Sequence, residues 1–557
     1  MFNRILNSQT KTVTFAAVLL AGSSLVSKLL ALIRDRLLAG KFGAGEELDI
    51  YFAAFRIPDF VYGILVLGGI SAVFLPIFSE YFRQNKPGDG WPVSSLEFTN
   101  NVLNCFLILL IAVCMILAVF TPLLVKVIFP GFSGENQALA ILLTRIMFLS
   151  PILLGISSLF SGILQYFNRF LIYSLAPVLY NVGIILGILF FSPLFSSALR
   201  VLGVALGVIL GAFLHLLIQI PAARMAGFKY RPIFNFGFPG IIKTFKLMVP
   251  RSIGTAAYQV NLIVITGIAS TLTTGSIAVF SFAQNINFIP VSLIGISFAL
   301  ASFPVLSQSW ASGLREKFSE NFSSVFRQIL YLILPVSLLM FLLRAQIVRL
   351  ILGTGEFGWL ETRLTAASLG LFCLSIFAAA FIPLLSRVFY SFQDTRTPVA
   401  IGISAMILNV VLSFLLVWLL SFPNFFREMT ANFLNLQGIG NIEVVGLALA
   451  ISVATVFQFF LLLVFLKKRM GGIKLREIRH SFRKIIIATI LMAIFTYLAL
   501  QTAVNFVDMR TFSGVLIQTI FAVLIGAFIY LLLTFFLKSP EFKTIWSSIS
   551  EQFTHSP

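Results

Sequence analysis

The chain has 557 residues, of which 59% are hydrophobic and only 11% charged, with a mean hydropathy of +1.01. Such a balance excludes a soluble globular protein. The formal net charge of +19 arises from 39 Lys and Arg against 20 Asp and Glu, and a membrane topology accounts for it without a nucleic-acid partner.

Apolar runs of about 20 residues, each long enough to cross a hydrocarbon core of roughly 30 Å, recur along the whole sequence. Fourteen are predicted: 13–34, 51–80, 101–128, 140–166, 171–193, 199–221, 241–271, 275–306, 325–351, 364–391, 398–421, 443–466, 484–504 and 513–537. Lipid offers unpaired backbone groups no partner, and the two-residue alternation of a barrel strand is absent, so the runs are read as helices. The first run is long and has no small-residue cleavage site ahead of a soluble domain, so it is read as a retained helix.

The cations orient the helices. With the N-terminus in the cytoplasm, the N-terminal tail and the even-numbered loops hold about 25 of the 39 basic residues against about 10 on the other side, the asymmetry of a positive-inside protein with both termini inward. Arg4, Lys11, Lys86, Arg169, Arg224, Lys243 and Lys246 belong to that inner set. So does the stretch "KKRMGGIKLREIRHSFRK" at 467–484. It is read as an inward anchor between the twelfth span and two appended ones, and its cations also suit acidic lipid headgroups.

Catalytic groups are sparse. Cys105 and Cys114 share the third span and Cys373 lies in the tenth, a spacing that suggests neither a metal site nor a disulfide framework. His215 lies in the sixth span, His480 in the basic loop and His555 in the tail. No HExxH, Walker-type loop or nucleophile–base set is present. His215 is read as a packed or cavity-edge residue, and the chain as neither an enzyme nor a nucleotide-driven pump, with no cofactor and no metal.

An internal repeat sets the architecture. A shift of 228 residues lays "LPIFSEY" at 75 on "FPVLSQS" at 303, pairing Pro76 with Pro304 and Ser79 with Ser307, and the same shift pairs Gln165 with Gln393 and Asn181 with Asn409. An offset of 243 lays "GVALG" at 203 on "GLALA" at 446. The order is preserved, so spans one to six and seven to twelve form duplicated six-helix lobes with the same orientation, and a site is expected at a central cavity. The expected divisions are 1–222, 223–470, and 471–557 for the basic loop and two extra spans. The fold class is thus an all-α polytopic membrane protein, and its two-lobed plan is that of a transporter.

Five cations fall inside or at the edge of predicted spans: Lys28, Arg34, Arg56, Arg145 and Arg251. A cation at bilayer depth costs several kcal/mol unless it faces protein or water, so these should turn from lipid. Spans one, two and seven supply four of the five, which suggests a basic chamber. An arginine fork suits phosphate through paired hydrogen bonds. A purely structural use is also open, with Arg34 paired to Asp35 or Asp49 and Arg56 to Asp59 at helix ends.

The stretch "SKLLALIRDRLLAGKFGAGEELDIYFAAFRIPD" from residue 27, followed by "AVFLPIFSEYF", resembles the opening signature of the MurJ (MviN) lipid II flippases of the multidrug/oligosaccharidyl-lipid/polysaccharide exporter superfamily. Further matches are "LSPILLGISSLFSGILQYFNRF", "APVLYN", "PRSIGTAAYQVNLIVITGIASTLTTGSIAVFSFAQ", "GTGEF" at 353 and "FYSFQDTRTPV" at 389, in family order over roughly residues 10–470. The resemblance implies transfer of an undecaprenyl-pyrophosphate-linked peptidoglycan precursor across the bacterial cytoplasmic (inner) membrane by alternating access. It implies that Arg34, Arg56, Arg251 and Lys28 bind the pyrophosphate, with Asp35 and Asp49 in supporting places. Lys28 stands where the family usually has Arg.

The chain departs from that family at three arginines and a glutamate. Where the family's second helix usually reads N-L-L-R-R-x-x-A-E-G, this sequence reads "DFVYGILVLGG", with Tyr62 and Gly63 at the arginines and Leu67 at the glutamate. In span eight "FAQN" puts Asn285 where Y-A-x-R would put an arginine. Tyr62 and Asn285 would then act as neutral donors, or the headgroup differs within the lipid-linked class. A multidrug or cation antiporter would call for acidic cavity residues. The expected partners are lipid II or a related lipid-linked glycan and the surrounding membrane lipids, for a monomeric protein.

Overall fold

The computed structural model describes residues 13–83, 91–196, 199–470 and 475–544. Arg4, Lys11, Lys86, Lys474 and His555 lie outside the described residues. Among those described there is no strand, and nearly all lie in helices.

In chain order the helices are α1 (Val13–Phe42), α2 (Glu46–Val61), α3 (Ser71–Arg83), α4 (Val93–Ile128), α5 (Gly134–Met147), α6 (Leu149–Tyr166), α7 (Phe170–Leu186), α8 (Arg200–Leu217), α9 (Gln219–Met225), α10 (Pro239–Ser270), α11 (Ser276–Pro290), α12 (Ser297–Ala311) and α13 (Arg315–Leu342). There follow α14 (Arg344–Ile351), α15 (Trp359–Cys373), α16 (Ile376–Ser391), α17 (Arg396–Leu420), α18 (Phe425–Leu434), α19 (Val444–Met470), α20 (Leu475–Ala503) and α21 (Phe512–Phe536). Among the described residues twelve helical stretches are long and apolar enough to cross a membrane, and the pair α15 and α16, bent by 47°, makes a thirteenth. Helix α1, 30 residues long, stands beside that count, and the fourteen predicted runs each fall on one of these stretches. Exposed large apolar side chains such as Val119, Phe190, Phe414 and Phe528 are far too numerous for a water-facing surface and suit lipid contact.

Two boundaries differ from the sequence reading. The ninth run, expected to continue to 351, ends at Leu342, and the chain restarts as the separate helix α14 at Arg344. The tenth span breaks between Cys373 and Ile376, where the Ser375 hydroxyl donates to Phe372 O (3.0 Å) and reaches Ser452 Oγ (3.2 Å). A side chain that satisfies freed backbone groups makes a break tolerable at membrane depth.

The molecule divides into two compact units between Ala278 and Val279. This compactness boundary lies downstream of the division expected at 222/223 because α10 packs on α2, α3, α4 and the segment before α3. In the first unit α2 and α3 are joined by a π-helical stretch, Tyr62–Ile70, where Ile64 O accepts from Ser252 Oγ of α10 (2.8 Å). Helices α7 and α8 approach backbone to backbone: a Cβ on Gly183 would meet Gly211, and one on Gly187 would meet Gly207. Small residues allow such contact where lipid gives no hydrophobic drive for association.

Several helices have counterparts later in the chain, the first of which, α10, still belongs to the first compact unit. A shift of 228 residues carries α1 onto α10, α2 onto α11, α3 onto α12, α6 onto α16 and α7 onto α17 within a few residues. A further π-helical stretch, Val291–Ile296, precedes α12 as Tyr62–Ile70 precedes α3. The appended helices α20 and α21 pack on α13 through a buried network. Arg327 Nη1 reaches Glu541 Oε1 (3.1 Å), and Ser481 and Ser539 donate to the same carboxylate (2.7 and 2.6 Å). Tyr530 donates to Tyr331 O (2.7 Å).

Candidate functional site

Most of the sequence-predicted site residues belong to the first unit. On α1, Arg34 turns its guanidinium edge onto its neighbour: Nε and Nη2 donate to Asp35 Oδ1 (2.9 and 2.7 Å), while Nη1 donates to Asn181 Oδ1 of α7 (3.3 Å). Asn181 is held in turn by donating to Pro177 O (3.1 Å) and to Ser27 Oγ (3.2 Å). Asp35 is 4% exposed and Arg34 20%, so the ion pair foreseen as a structural alternative is present, with a fifth of the arginine still open. Lys28 is half-buried on the same helix.

On α2, Arg56 Nε donates to Thr266 Oγ1 of α10 (2.8 Å). Asp59, three residues on, lies within electrostatic reach of Arg56, and Tyr258 of α10 is within reach of both. Tyr180, beside Asn181, is in reach of Arg34, Asp59 and Tyr62 and hydrogen-bonds Ser150. Arg251 is exposed. Seven residues separate it from the exposed Tyr258, which puts both on one face of α10 about 10.5 Å apart along the axis. Arg34, Arg56 and Tyr62 are therefore gathered around Asp59, Tyr180 and Tyr258. The sequence reading treated Asp59 only as a helix-end partner and missed the tyrosines, whose spacing along the chain carries no motif.

Asp49 has a different part from the one expected. It is 5% exposed, and its carboxylate accepts from the backbone N–H of Gly275 (2.6 Å) and of Ala278 (2.8 Å). It caps the first turn of α11 from a distance of more than two hundred residues, a placement the positive end of the helix dipole favours. Of the remaining carboxylates, Asp35 is paired with Arg34, and Asp59 lies within electrostatic reach of Arg56.

The altered second-helix positions also have a physical context. A Cβ on Gly63 would run into the side chain of Gln259, and one on Gly68 into Thr255, so the π-helical stretch lies against α10 and an arginine at 63 would have to displace Gln259. Tyr62 is half-buried and Leu67 exposed. Asn285 is half-buried on α11 in the second unit. Among the described residues there is no group of three or more His, Cys, Asp or Glu able to hold a metal. His215 is packed in a polar knot, its Nδ1 2.7 Å from Ser157 Oγ, which also accepts from Gln219 Nε2 (2.8 Å).

The "FQDTRTP" segment of the second unit is a capped turn. Asp394 Oδ1 accepts from the Thr397 N–H (3.0 Å), Oδ2 from the Thr397 hydroxyl (2.8 Å), and Arg469 Nη1 lies 3.3 Å from Oδ2. Burial alone would push this carboxyl up, but the two Thr397 bonds and Arg469 outweigh it and hold Asp394 below the usual carboxylate range.

A family model described as Lipid II flippase MurJ matches residues 38–517. The chain belongs to the MurJ family. Lys28, Arg34 and Asp35 precede the matched segment. The "Probable lipid II flippase MurJ" of Buchnera aphidicola subsp. Acyrthosiphon pisum is 27% identical over 531 residues, covering 93% of this chain and 97% of that one. The "Lipid II flippase MurJ" of Burkholderia cenocepacia is 27% identical over 408 residues, covering 72% and 78%. A solved structure, "Lipid II flippase MurJ, inward closed conformation", shares the fold with a TM-score of 0.73, covering 94% of this chain and 99% of its own at 24% identity. An inward-facing multidrug resistance MATE family transporter of the MOP superfamily shares it more loosely, with a TM-score of 0.60 at 16% identity over 80% of this chain and 95% of its own. Both likenesses show a shared fold.

Proposed function

We propose that this chain is a lipid II flippase, carrying undecaprenyl-pyrophosphate-linked disaccharide-peptide from the inner to the outer leaflet of the bacterial cytoplasmic membrane by alternating access. The observation that carries the reading is the family match across residues 38–517. The arginines Arg34 and Arg56, gathered with Tyr62, support it chemically. A pyrophosphate carries about two negative charges, and each charge-assisted hydrogen bond from Arg contributes roughly 1.5–3 kcal/mol. Arg34, Arg56, Arg251 and Lys28 are its proposed partners, and Tyr62 and Asn285 are neutral donors in places where the family usually has arginine.

In this reading both termini are cytoplasmic and the protein works as a monomer without a cofactor. Asp35 holds Arg34 in place until the ligand competes for its fork. The crowding of Gly63 by Gln259 favours a second reading, a flippase for a different lipid-linked oligosaccharide whose headgroup needs fewer cations. Complementation decides between them. The full chain is expressed in a bacterium depleted of its own lipid II flippase, and growth with normal cell shape is expected. Lysis at wild-type expression levels would reject lipid II as the cargo.

A further inference from the structure

The second unit contains a cavity of about 880 Å³ that the proposed transport cluster does not use. Its walls come from the end of α13, α14, the start of α15, the end of α18, the end of α20 and the start of α21. Arg344, Arg349 and Arg363 all line it. Among the described residues none of the three has a carboxylate within ion-pair distance. Their contacts are instead with carbonyls and rings. Arg344 Nη1 donates to Phe341 O (2.9 Å), Arg349 Nη2 to Arg510 O (3.3 Å), and Arg363 Nη2 to Asn435 O. The Arg363 guanidinium lies over the Trp359 ring at 4.2 Å.

Two further observations describe what such a cavity would take. Gln346 and Gln518 both line it, and the side-chain carbonyl oxygen of each is buried with no hydrogen-bond partner; Gln518 is only 2% exposed and spends its Nε2 on Leu500 O (3.0 Å). Three arginines call for an anion, and two orphaned acceptors call for hydroxyl donors beside it. The rim is aromatic: Trp359 is 71% exposed and Tyr497 53%. Amphipathic rings gather at headgroup depth, which places the cavity mouth at a bilayer surface.

We propose that this cavity binds the headgroup of a resident anionic glycerophospholipid of the phosphatidylglycerol type, its phosphate on the arginines and its glycerol hydroxyls on Gln346 and Gln518. The site is independent of the cargo; only its assignment to the outer leaflet rests on the inward termini proposed above. The bound lipid would fasten α14 and α15 to the appended helices α20 and α21, which no ion pair among the described residues does at this end.

Native mass spectrometry of the delipidated full chain, titrated with phosphatidylglycerol, phosphatidic acid or phosphatidylcholine, tests it. Wild type should retain phosphatidylglycerol at least tenfold more tightly than phosphatidylcholine, and Arg349→Gln with Arg363→Gln should remove that preference. If the pair fails to fold, Arg349→Gln alone, at an exposed position, should weaken phosphatidylglycerol three- to fivefold. Gln346→Met should lower phosphatidylglycerol to the level of phosphatidic acid, which has no glycerol hydroxyls, and leave phosphatidic acid unchanged. Equal retention of phosphatidylglycerol and phosphatidylcholine by wild type, or undiminished retention by the arginine variants, overturns the proposal. Stoichiometric displacement of phosphatidylglycerol by undecaprenyl pyrophosphate also overturns it, and would make the cavity a station for the carried lipid. Complementation, by contrast, reports on the cargo and is not a readout of this cavity.

Discussion

Arg34→Ala is the perturbation that separates a ligand-binding arginine from a structural one, because the geometry gives the residue both roles. Its fork is spent on Asp35, whose side chain is 4% exposed. Removing one partner of a fully buried pair costs about 3–5 kcal/mol, but Arg34 keeps a fifth of its exposure and solvent screens the remainder, so roughly 2 kcal/mol is expected. Two charge-assisted bonds to a pyrophosphate, at about 1.5–3 kcal/mol each, would be lost as well, a fall in affinity of about 10²- to 10⁴-fold. The single variant confounds the two losses. The double variant Arg34→Ala with Asp35→Asn does not, since a neutral amide no longer strands a buried charge. Thermal unfolding of the full chain in nanodiscs should show the melting temperature fall in the single variant and largely return in the double. Growth in the depletion strain should fail in both, with partial rescue by Arg34→Lys, whose point charge cannot reproduce the fork. If growth returns together with stability in the double variant, Arg34 serves only to neutralise Asp35 and the anion-binding argument fails.

Asp49→Ala should lower stability by about 1–2 kcal/mol, the usual cost of a lost helix cap, and Asp49→Asn by less, both read as melting temperature with no change specific to cargo. The Asp394 carboxyl is held below its ordinary value, so its contribution is fully present above about pH 3.9. It is lost as acidification passes the lower folded value, and Asp394→Asn should flatten the acid limb of a melting-temperature profile taken from pH 7 to pH 3. Tyr62→Arg should express as a folded protein, whereas Gly63→Arg should fail to accumulate in the membrane because Gln259 occupies the space; equal expression of both, followed by size-exclusion chromatography, would remove the steric account of the missing arginine. Glu541→Ala leaves Arg327 facing only the more distant Glu477 (3.7 Å), and should destabilise by about 2–4 kcal/mol, seen as loss of the α20 and α21 protease protection before the rest of the chain.

Hydropathy is a local property, and what depends on it was legible along the chain. The spans could be placed because a run of apolar residues either is or is not long enough to cross a bilayer. The duplication could be read because an offset of 228 residues keeps Pro76 on Pro304 and Asn181 on Asn409, and the π-helical stretches Tyr62–Ile70 and Val291–Ile296 fall where that offset puts them. Pairing is not local. Arg34 with Asp35 could be listed as one option among several because the partners are adjacent, but Asn181 completes that contact from 147 residues away. Asp49 looked like a site acid until the folded chain brought the N–H groups of Gly275 and Ala278 against it. The cavity around Arg344, Arg349 and Arg363 draws on six helices, and in sequence those arginines are indistinguishable from ordinary loop cations. Whether a charge meets a carboxylate, a backbone dipole or an open cavity is set by which helices pack together, and only the tertiary structure decides that.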